Sequence, residues 1–112
     1  MSLLDGHETN KIATRILSDY DSHSLGTIFA DGLRLGIEEA WRLQAAVAKL
    51  RENRGEKVIG YKIGCVSEVH QKALGITHPV LGWLWSTEQY EGGVELRKAD
   101  FANLAIEKPN LP

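Results

Sequence analysis

The chain has 112 residues, of which 43% are hydrophobic and 25% charged, and its formal net charge is -2. This length suits one small domain, and the balance of apolar and charged residues is that of an ordinary soluble globular protein, which disfavours nucleic-acid binding. The single cysteine excludes an internal disulfide, and the lack of a bilayer-spanning apolar run or a signal-peptide pattern predicts a cytoplasmic protein with no membrane partner.

Two amphipathic helices are predicted in the first half of the chain. The first runs from about Thr9 to Tyr20, where apolar residues recur at helical spacing. The second runs from about Gly36 to Arg54, with acidic residues in its first turn and basic residues in its last. Its apolar stripe consists of Ala40, Leu43, Val47 and Leu50. Turn-forming residues between the helices predict a connector, and we expect the stripe to pack on a small sheet.

A strand is predicted next, because residues 57–66 combine β-branched and aromatic side chains between two turn signals. Its interior glycines, Gly60 and Gly64, are typical of a bulge or of a close approach between backbone and ligand. Ser67 and Gly75 are residue types that begin and end helices, which predicts a short helix between them.

The last third of the chain is predicted to be rich in strands. A strand over residues 81–86 carries Trp83 and Trp85 on one face, and the Gly92-Gly93 turn signal predicts that residues 94–97 form its hairpin partner. The expected fold class is therefore α+β, with helices first and short strands later. Because large exposed apolar patches usually mark interfaces, the tryptophan face also predicts a homo-oligomer.

Four segments resemble, in order and spacing, the hydratase/decarboxylase branch of the fumarylacetoacetate hydrolase superfamily, which contains 2-hydroxypentadienoate hydratases and 2-oxohexenedioate decarboxylases. The segments are Ile37–Gln44, Val58–Gly64, His70–Gly82 and Phe101–Glu107. The resemblance implies a domain over residues 1–106, with N-terminal helices packed on a small mixed sheet, followed by a truncated tail over residues 107–112. The family's larger β-rich metal-binding domain has no counterpart in the chain.

The resemblance also implies a divalent metal in the full-length family, Mg2+ or Mn2+ held by three carboxylates. Glu107 matches the first of these ligands, whereas Pro109 stands where the second should be, and the third has no counterpart. A hard cation of this kind needs about six oxygen ligands, so one carboxylate cannot fix it. We therefore expect no cofactor for this chain alone and an incomplete metal site.

Lys62 is the strongest catalytic candidate. The resemblance implies that this lysine faces the active site and moves a proton or balances substrate charge, while Gly60 and Gly64 let the substrate approach. The alternative is an ordinary exposed strand lysine. Family hydratases often carry an acidic residue where this chain has Val80, which favours ancestry among members with another acid/base arrangement.

Other residues carry weaker signals. His70 and His78 could act as general bases, but their spacing fits no compact metal motif, which favours surface or turn positions. Cys65 has no histidine partner at a readable spacing, which favours a small buried residue over a nucleophile. The three tryptophans could line a cleft, although large aromatic residues usually fill cores or interfaces.

Three functional hypotheses follow. The first is a truncated or catalytically incomplete family member, whose family reaction is metal-dependent hydration of 2-hydroxy-dienoates or decarboxylation of 2-oxo-enedioates, with a small acidic 2-oxo substrate. The second is a non-catalytic interaction module that binds another copy of itself or a full-length family enzyme. The third is a small metal-free enzyme that uses Lys62. Hydratase or decarboxylase ancestry and the nature of the chain end stay open.

Overall fold

The computed structural model describes residues 5–107, which form three α-helices and one antiparallel sheet of two strands. The helices and strands are α1 (Gly6–Asp21), α2 (Ile37–Asn53), β1 (Val58–Gly64), α3 (Glu68–Leu74) and β2 (Val80–Trp85). The predicted α+β class is confirmed. The chain divides into two compact units, one made of residues 51–92 and the other of the residues before and after that range. Within residues 5–107, none of the helices has the length and apolarity of a membrane span.

Helix α1 begins at a side-chain cap. The Asp5 carboxylate accepts a hydrogen bond of 2.7 Å from the backbone N–H of Glu8, which satisfies one of the free donors of the first turn. Leu17, one of the apolar residues of the predicted stripe, is buried and confirms the helical period, and Ala13 one turn before it is buried although it was not predicted. Tyr20 is 50% exposed, so the buried part of the stripe ends one turn earlier than predicted.

The connector after α1 contains neither helix nor strand over residues 22–36, as predicted. A polar network attaches its first part to α1. The Arg15 guanidinium donates to the Thr27 hydroxyl, with Nη2 at 2.8 Å, and pairs with the Asp31 carboxylate. The same hydroxyl donates to Asp19 at 3.0 Å. These groups are exposed, so each pair contributes little by itself to stability.

Helix α2 buries the predicted stripe. Leu43 is 4% exposed and Val47 is half-buried, whereas Arg42 and Lys49 on the other side are exposed. The predicted helical period of α2 is therefore confirmed. Ala48 is also buried, which widens the apolar face beyond the residues that were predicted. The packing of this stripe on a sheet stays a prediction.

The unit of residues 51–92 is built around the hairpin of β1 and β2, with α3 between the two strands in sequence. The Ser67 hydroxyl caps α3 by accepting a hydrogen bond of 3.3 Å from the His70 N–H. Gly75 ends the helix in the left-handed conformation, at a φ of 70°, which glycine adopts without steric cost. Both predicted ends of this helix are confirmed.

The predicted hairpin between residues 81–86 and 94–97 is wrong. Strand β2 pairs with β1, and residues 94–97 lie outside any strand. One reason is that a 3-10 turn over Ser86–Glu88 follows β2 directly and ends the extended run. Another is that the apolar side chains of β2 find cross-strand partners on β1. The sheet is accordingly antiparallel rather than mixed.

Candidate functional site

The register of the hairpin decides what surrounds Lys62. The central opposed pairs are Tyr61 with Trp83, Lys62 with Gly82, and Ile63 with Leu81. Directly opposed residues of an antiparallel pair share a face, and successive residues along a strand alternate between faces. Lys62 therefore lies on one face of the hairpin, and the aromatic pair lies on the other.

Glycines surround Lys62 on its own face. Gly60 and Gly64 flank it along β1, and Gly82 opposes it on β2. A Cβ added at Gly82 would meet no atom within 4 Å, and the Lys62 side chain is exposed. The backbone at Gly82, opposite the lysine, is therefore open to a ligand, whereas the Leu84 and Val80 side chains lie next to Gly60 and Gly64. We call this surface the Lys62 face.

The Lys62 face holds the predicted catalytic residue Lys62 and the two predicted substrate-binding glycines, and it adds a residue that was not predicted. That residue is Gly82. It could have been predicted, because a glycine in the middle of a strand of large apolar side chains often marks a close approach to the backbone. Leu84 and Val80 close the face at its two ends, each about a van der Waals contact from where a Cβ would lie at Gly60 or Gly64. The catalytic and substrate-binding roles of these residues stay predictions.

The opposite side of the hairpin is apolar. Tyr61 is 63% exposed, Ile63 is 59% exposed and Leu81 is 38% exposed. Trp83 is half-buried and makes an edge-to-face contact with Trp85, with ring centroids 6.5 Å apart. We call these four residues and Trp85 the apolar face. Trp85 is only 6% exposed, so the expectation that both tryptophans are uncovered is wrong for this one.

Trp85 is covered by an ion-pair network at the open end of the hairpin. The Arg51 guanidinium carbon lies 4.7 Å from the centre of the Trp85 ring, a cation–π geometry. Arg51 also donates two hydrogen bonds to Glu56, from Nη2 at 2.7 Å and from Nε at 3.1 Å, and one to Glu88. Arg54 donates to the same Glu56 carboxylate at 2.6 Å. These contacts join the last turn of α2 to the residue pair just before β1, to the end of β2 and to the 3-10 turn after it.

The network shifts the protonation equilibria of its members. Hydrogen bonds from Arg51, with smaller contributions from Thr87 and Arg54, lower the pKa of Glu56 from 4.5 to about 2 in spite of its burial. Burial opposes the charge of Arg51, but its hydrogen bonds to Glu56 and Glu88 hold the pKa of the guanidinium above its ordinary value. The basic residues here were predicted only as partners of the helix dipole, and their pairing with Glu56 was not predicted. An acid and a base on either side of the turn at Gly55 were the available signal.

The turn after β1 is held by a side chain of α3. Cys65 has a positive φ of 53°, which is uncommon for a residue with a side chain, and its carbonyl accepts a hydrogen bond of 2.8 Å from Gln71 Nε2. Cys65 is half-buried, which is less than predicted. His70 is exposed, and His78 Nδ1 lies 2.8 Å from the Pro79 carbonyl oxygen, so both fit the surface or turn positions that were favoured.

The described residues do not fit a resident divalent cation. Glu107, the predicted first ligand, is exposed, and the predicted second position, Pro109, lies outside the described residues. No three histidine, cysteine, aspartate or glutamate side chains within residues 5–107 are grouped so that they could hold a metal ion. A Mg2+ ion needs several oxygen ligands in near-octahedral geometry.

Known proteins provide an independent comparison. No protein-family profile matches the chain. It is 39% identical over 57 residues to a 2-hydroxyhexa-2,4-dienoate hydratase of Comamonas testosteroni, which covers 51% of this chain and 22% of that protein. It is 34% identical over 62 residues to a 2-hydroxypent-2,4-dienoate hydratase of Pseudomonas putida, which covers 55% of this chain and 28% of that protein. The chain thus matches about a quarter of the length of these relatives.

Solved structures support the same assignment of the fold. A 4-oxalocrotonate decarboxylase from Pseudomonas putida G7, complexed with calcium and acetate, matches with a TM-score of 0.68 at 23% identity. The same enzyme complexed with magnesium and adipate matches with a TM-score of 0.67. Each match covers 78% of this chain and 34% of the decarboxylase chain. The predicted resemblance to hydratases is confirmed by the two relatives, and the likeness to the decarboxylase structures shows the fold.

Proposed function

We propose that this chain forms the N-terminal domain of the hydratase/decarboxylase fold, residues 1–106, and presents Lys62 to a small acidic 2-oxo substrate. The observation that carries the proposal is the Lys62 face, where an exposed lysine stands among Gly60, Gly64 and Gly82. A lysine ammonium group is a compact donor that can hold a carboxylate, balance enolate charge or transfer a proton. The similarity to hydratases supports this chemistry, because those proteins act on 2-hydroxy-dienoates.

We also propose that the chain by itself is catalytically incomplete. General acid/base help from one lysine contributes about 10²–10⁴-fold to a rate, which is small beside the acceleration of most enzymes. The remaining acceleration in such chemistry is usually electrostatic, from groups that stabilise the charge of the developing enolate. Within residues 5–107, no side-chain cluster suited to a metal supports that role.

The experiment that tests the proposed site is a titration with adipate, the dicarboxylate in one of the solved decarboxylase structures. Amide chemical shifts are followed by NMR, and the largest changes are expected at Lys62, Gly64 and Gly82. The Lys62→Ala variant should bind about tenfold more weakly, a loss of about 1.4 kcal/mol. The matched control is Lys72→Ala, which removes an exposed lysine of α3. Equal binding by both variants would contradict the proposed site.

A second candidate function is an interaction module that self-associates or binds a full-length family enzyme. The apolar face favours it, because Tyr61 and Ile63 are each more than half exposed on one side of a two-stranded sheet. A two-stranded hairpin is marginal in water by itself and gains stability when a hydrophobic face is covered. The interaction would use the side of the hairpin opposite Lys62, so the two functions are compatible.

A further inference from the structure

Strand β1 contains one residue more than β2 can pair. Val58 opposes Trp85, whereas Gly60 opposes Leu84, so Ile59 is the extra residue of a β-bulge. Side chains alternate between the faces of a strand, and a slip of one residue moves a side chain to the other face. The bulge therefore changes which side chains of β1 and β2 share a face beyond it.

The register at the base of the hairpin is fixed by several contacts. The Ser86 N–H donates to the Lys57 carbonyl at 2.8 Å, and the Lys57 N–H donates to the Ser86 hydroxyl at 3.1 Å. Arg51 lies over the Trp85 ring and is held there by Glu56. Together these contacts keep the first residue of β1 opposite the last residue of β2.

The rest of the hairpin, where residues 60–64 pair with residues 80–84, follows a different register. We call this part the outer half. If the base register continued without a bulge, Lys62 would oppose Leu81 and share a face with the tryptophans. It opposes Gly82 instead, in the register that also pairs Tyr61 with Trp83. Cross-strand aromatic pairs stabilise a sheet, and the alternative register would place Tyr61 opposite a glycine. The two halves thus prefer registers one residue apart, and the bulge joins them.

We propose that Tyr61 is a positioning residue for Lys62. Its pairing with Trp83 holds the outer half of the hairpin in the register that places Lys62 on the Lys62 face. The register at the base, if continued, would place Lys62 on the other face. The functional importance of where Lys62 lies rests on the proposed function, whereas the strand register can be measured without any ligand. Bulges are common next to active sites, where they redirect a side chain.

The test compares cross-strand NOEs between backbone protons in labelled protein. In the wild type, Lys62 should show contacts to Gly82 while Val58 shows contacts to Trp85. Tyr61→Thr keeps a strand-forming residue but removes the aromatic pair, so the contact of Lys62 should move from Gly82 to Leu81. Tyr61→Phe retains the ring and should retain the wild-type register.

Deletion of Ile59 provides the decisive second variant. Without the extra residue, the base register and the outer register coincide, so Tyr61→Thr combined with this deletion should return Lys62 to its place opposite Gly82. Adipate binding should follow the register: about tenfold weaker in Tyr61→Thr and restored by the deletion. If Tyr61 had only a general structural role, deletion of Ile59 would not restore adipate binding to Tyr61→Thr.

Two results would overturn the positioning role. One is a folded Tyr61→Thr hairpin in which Lys62 still opposes Gly82. The other, which applies even if Tyr61→Thr unfolds, is a folded deletion variant in which Lys62 does not oppose Gly82. If wild-type protein does not bind adipate but the register shifts as expected, the proposed function fails and the positioning role stands.

Discussion

Arg51 and Glu56 form a buried, bidentate ion pair, in which Nη2 lies 2.7 Å from Oε1 and Nε lies 3.1 Å from Oε2. Both residues are 7% exposed. The pair closes the turn between α2 and β1. Removing one partner of a buried ion pair leaves the other charge without compensation, which costs more than the pair contributes in total.

Replacement of Glu56 should therefore destabilise the protein strongly. We expect Glu56→Ala to lower the free energy of unfolding by about 3 kcal/mol, because the Arg51 charge would stay buried beside Trp85 with fewer acceptors. Urea denaturation monitored by tryptophan fluorescence measures this loss. The control is Glu52→Ala, which removes an exposed carboxylate from the last turns of α2 and should change stability little. Equal effects of the two variants would contradict the role of the pair.

The same carboxylate predicts a pH dependence of stability. The pKa of Glu56 is lowered on folding from 4.5 to about 2, so its contribution is fully present above pH 4.5 and is lost as the pH falls towards 2. The contribution is about 3 kcal/mol at its upper limit. Unfolding free energies measured between pH 6 and about pH 2 should fall more steeply for the wild type than for Glu56→Gln. Parallel curves would show that Glu56 does not titrate in this way.

Trp85 should contribute to stability more than its neighbour on the apolar face. Trp85 is 6% exposed and lies under Arg51, whereas Trp83 is half-buried. We expect Trp85→Ala to cost about 3 kcal/mol or more of unfolding free energy, in the range of large aromatic truncations, and Trp83→Ala to cost less. Thermal denaturation followed by circular dichroism distinguishes them. A larger loss for Trp83→Ala would reverse the assignment of the buried ring.

The apolar face predicts self-association, with a dimer as the minimum expectation. Sedimentation velocity should show an average mass that rises with concentration, and Ile63→Asp should weaken the association about tenfold or more by placing a charge in the interface. Ile106→Asp is the matched control, because Ile106 is 91% exposed and lies outside this face. A wild type that stays monomeric at high concentration would contradict the prediction.

Catalysis by the chain alone is expected to be absent. With Mg2+ or Mn2+, the purified chain should neither hydrate 2-hydroxypenta-2,4-dienoate nor decarboxylate 2-oxohex-3-enedioate above background, because Lys62 can only move a proton or balance charge. A spectrophotometric assay of dienoate loss, beside calorimetric metal titration, tests this. Turnover that disappears in Lys62→Ala, or micromolar metal binding, would mean that the chain completes its site another way, for example with carboxylates of a second subunit.

The local elements of this protein could be read from its sequence. The helical period that buries Leu17, the stripe around Leu43, and the cap and stop at Ser67 and Gly75 each depend on neighbours within a few residues. The motif around Lys62 was visible only as one of the four segments that carry the family resemblance. The helices with their cap and stop are determined locally, so spacing and residue type were enough to predict them, whereas the role of Lys62 was implied only by the family resemblance.

Only the tertiary structure decided the pairing of the strands and its consequences. Sequence proximity favoured residues 94–97 as the partner of β2, but β1 is the partner, and a single bulge at Ile59 places Lys62 opposite Gly82 rather than Leu81. The Arg51–Glu56 pair likewise depends on a turn and on the hairpin that returns Trp85 to it. Such choices between registers one residue apart depend on the sum of cross-strand contacts, and a linear pattern of residue types does not contain that sum.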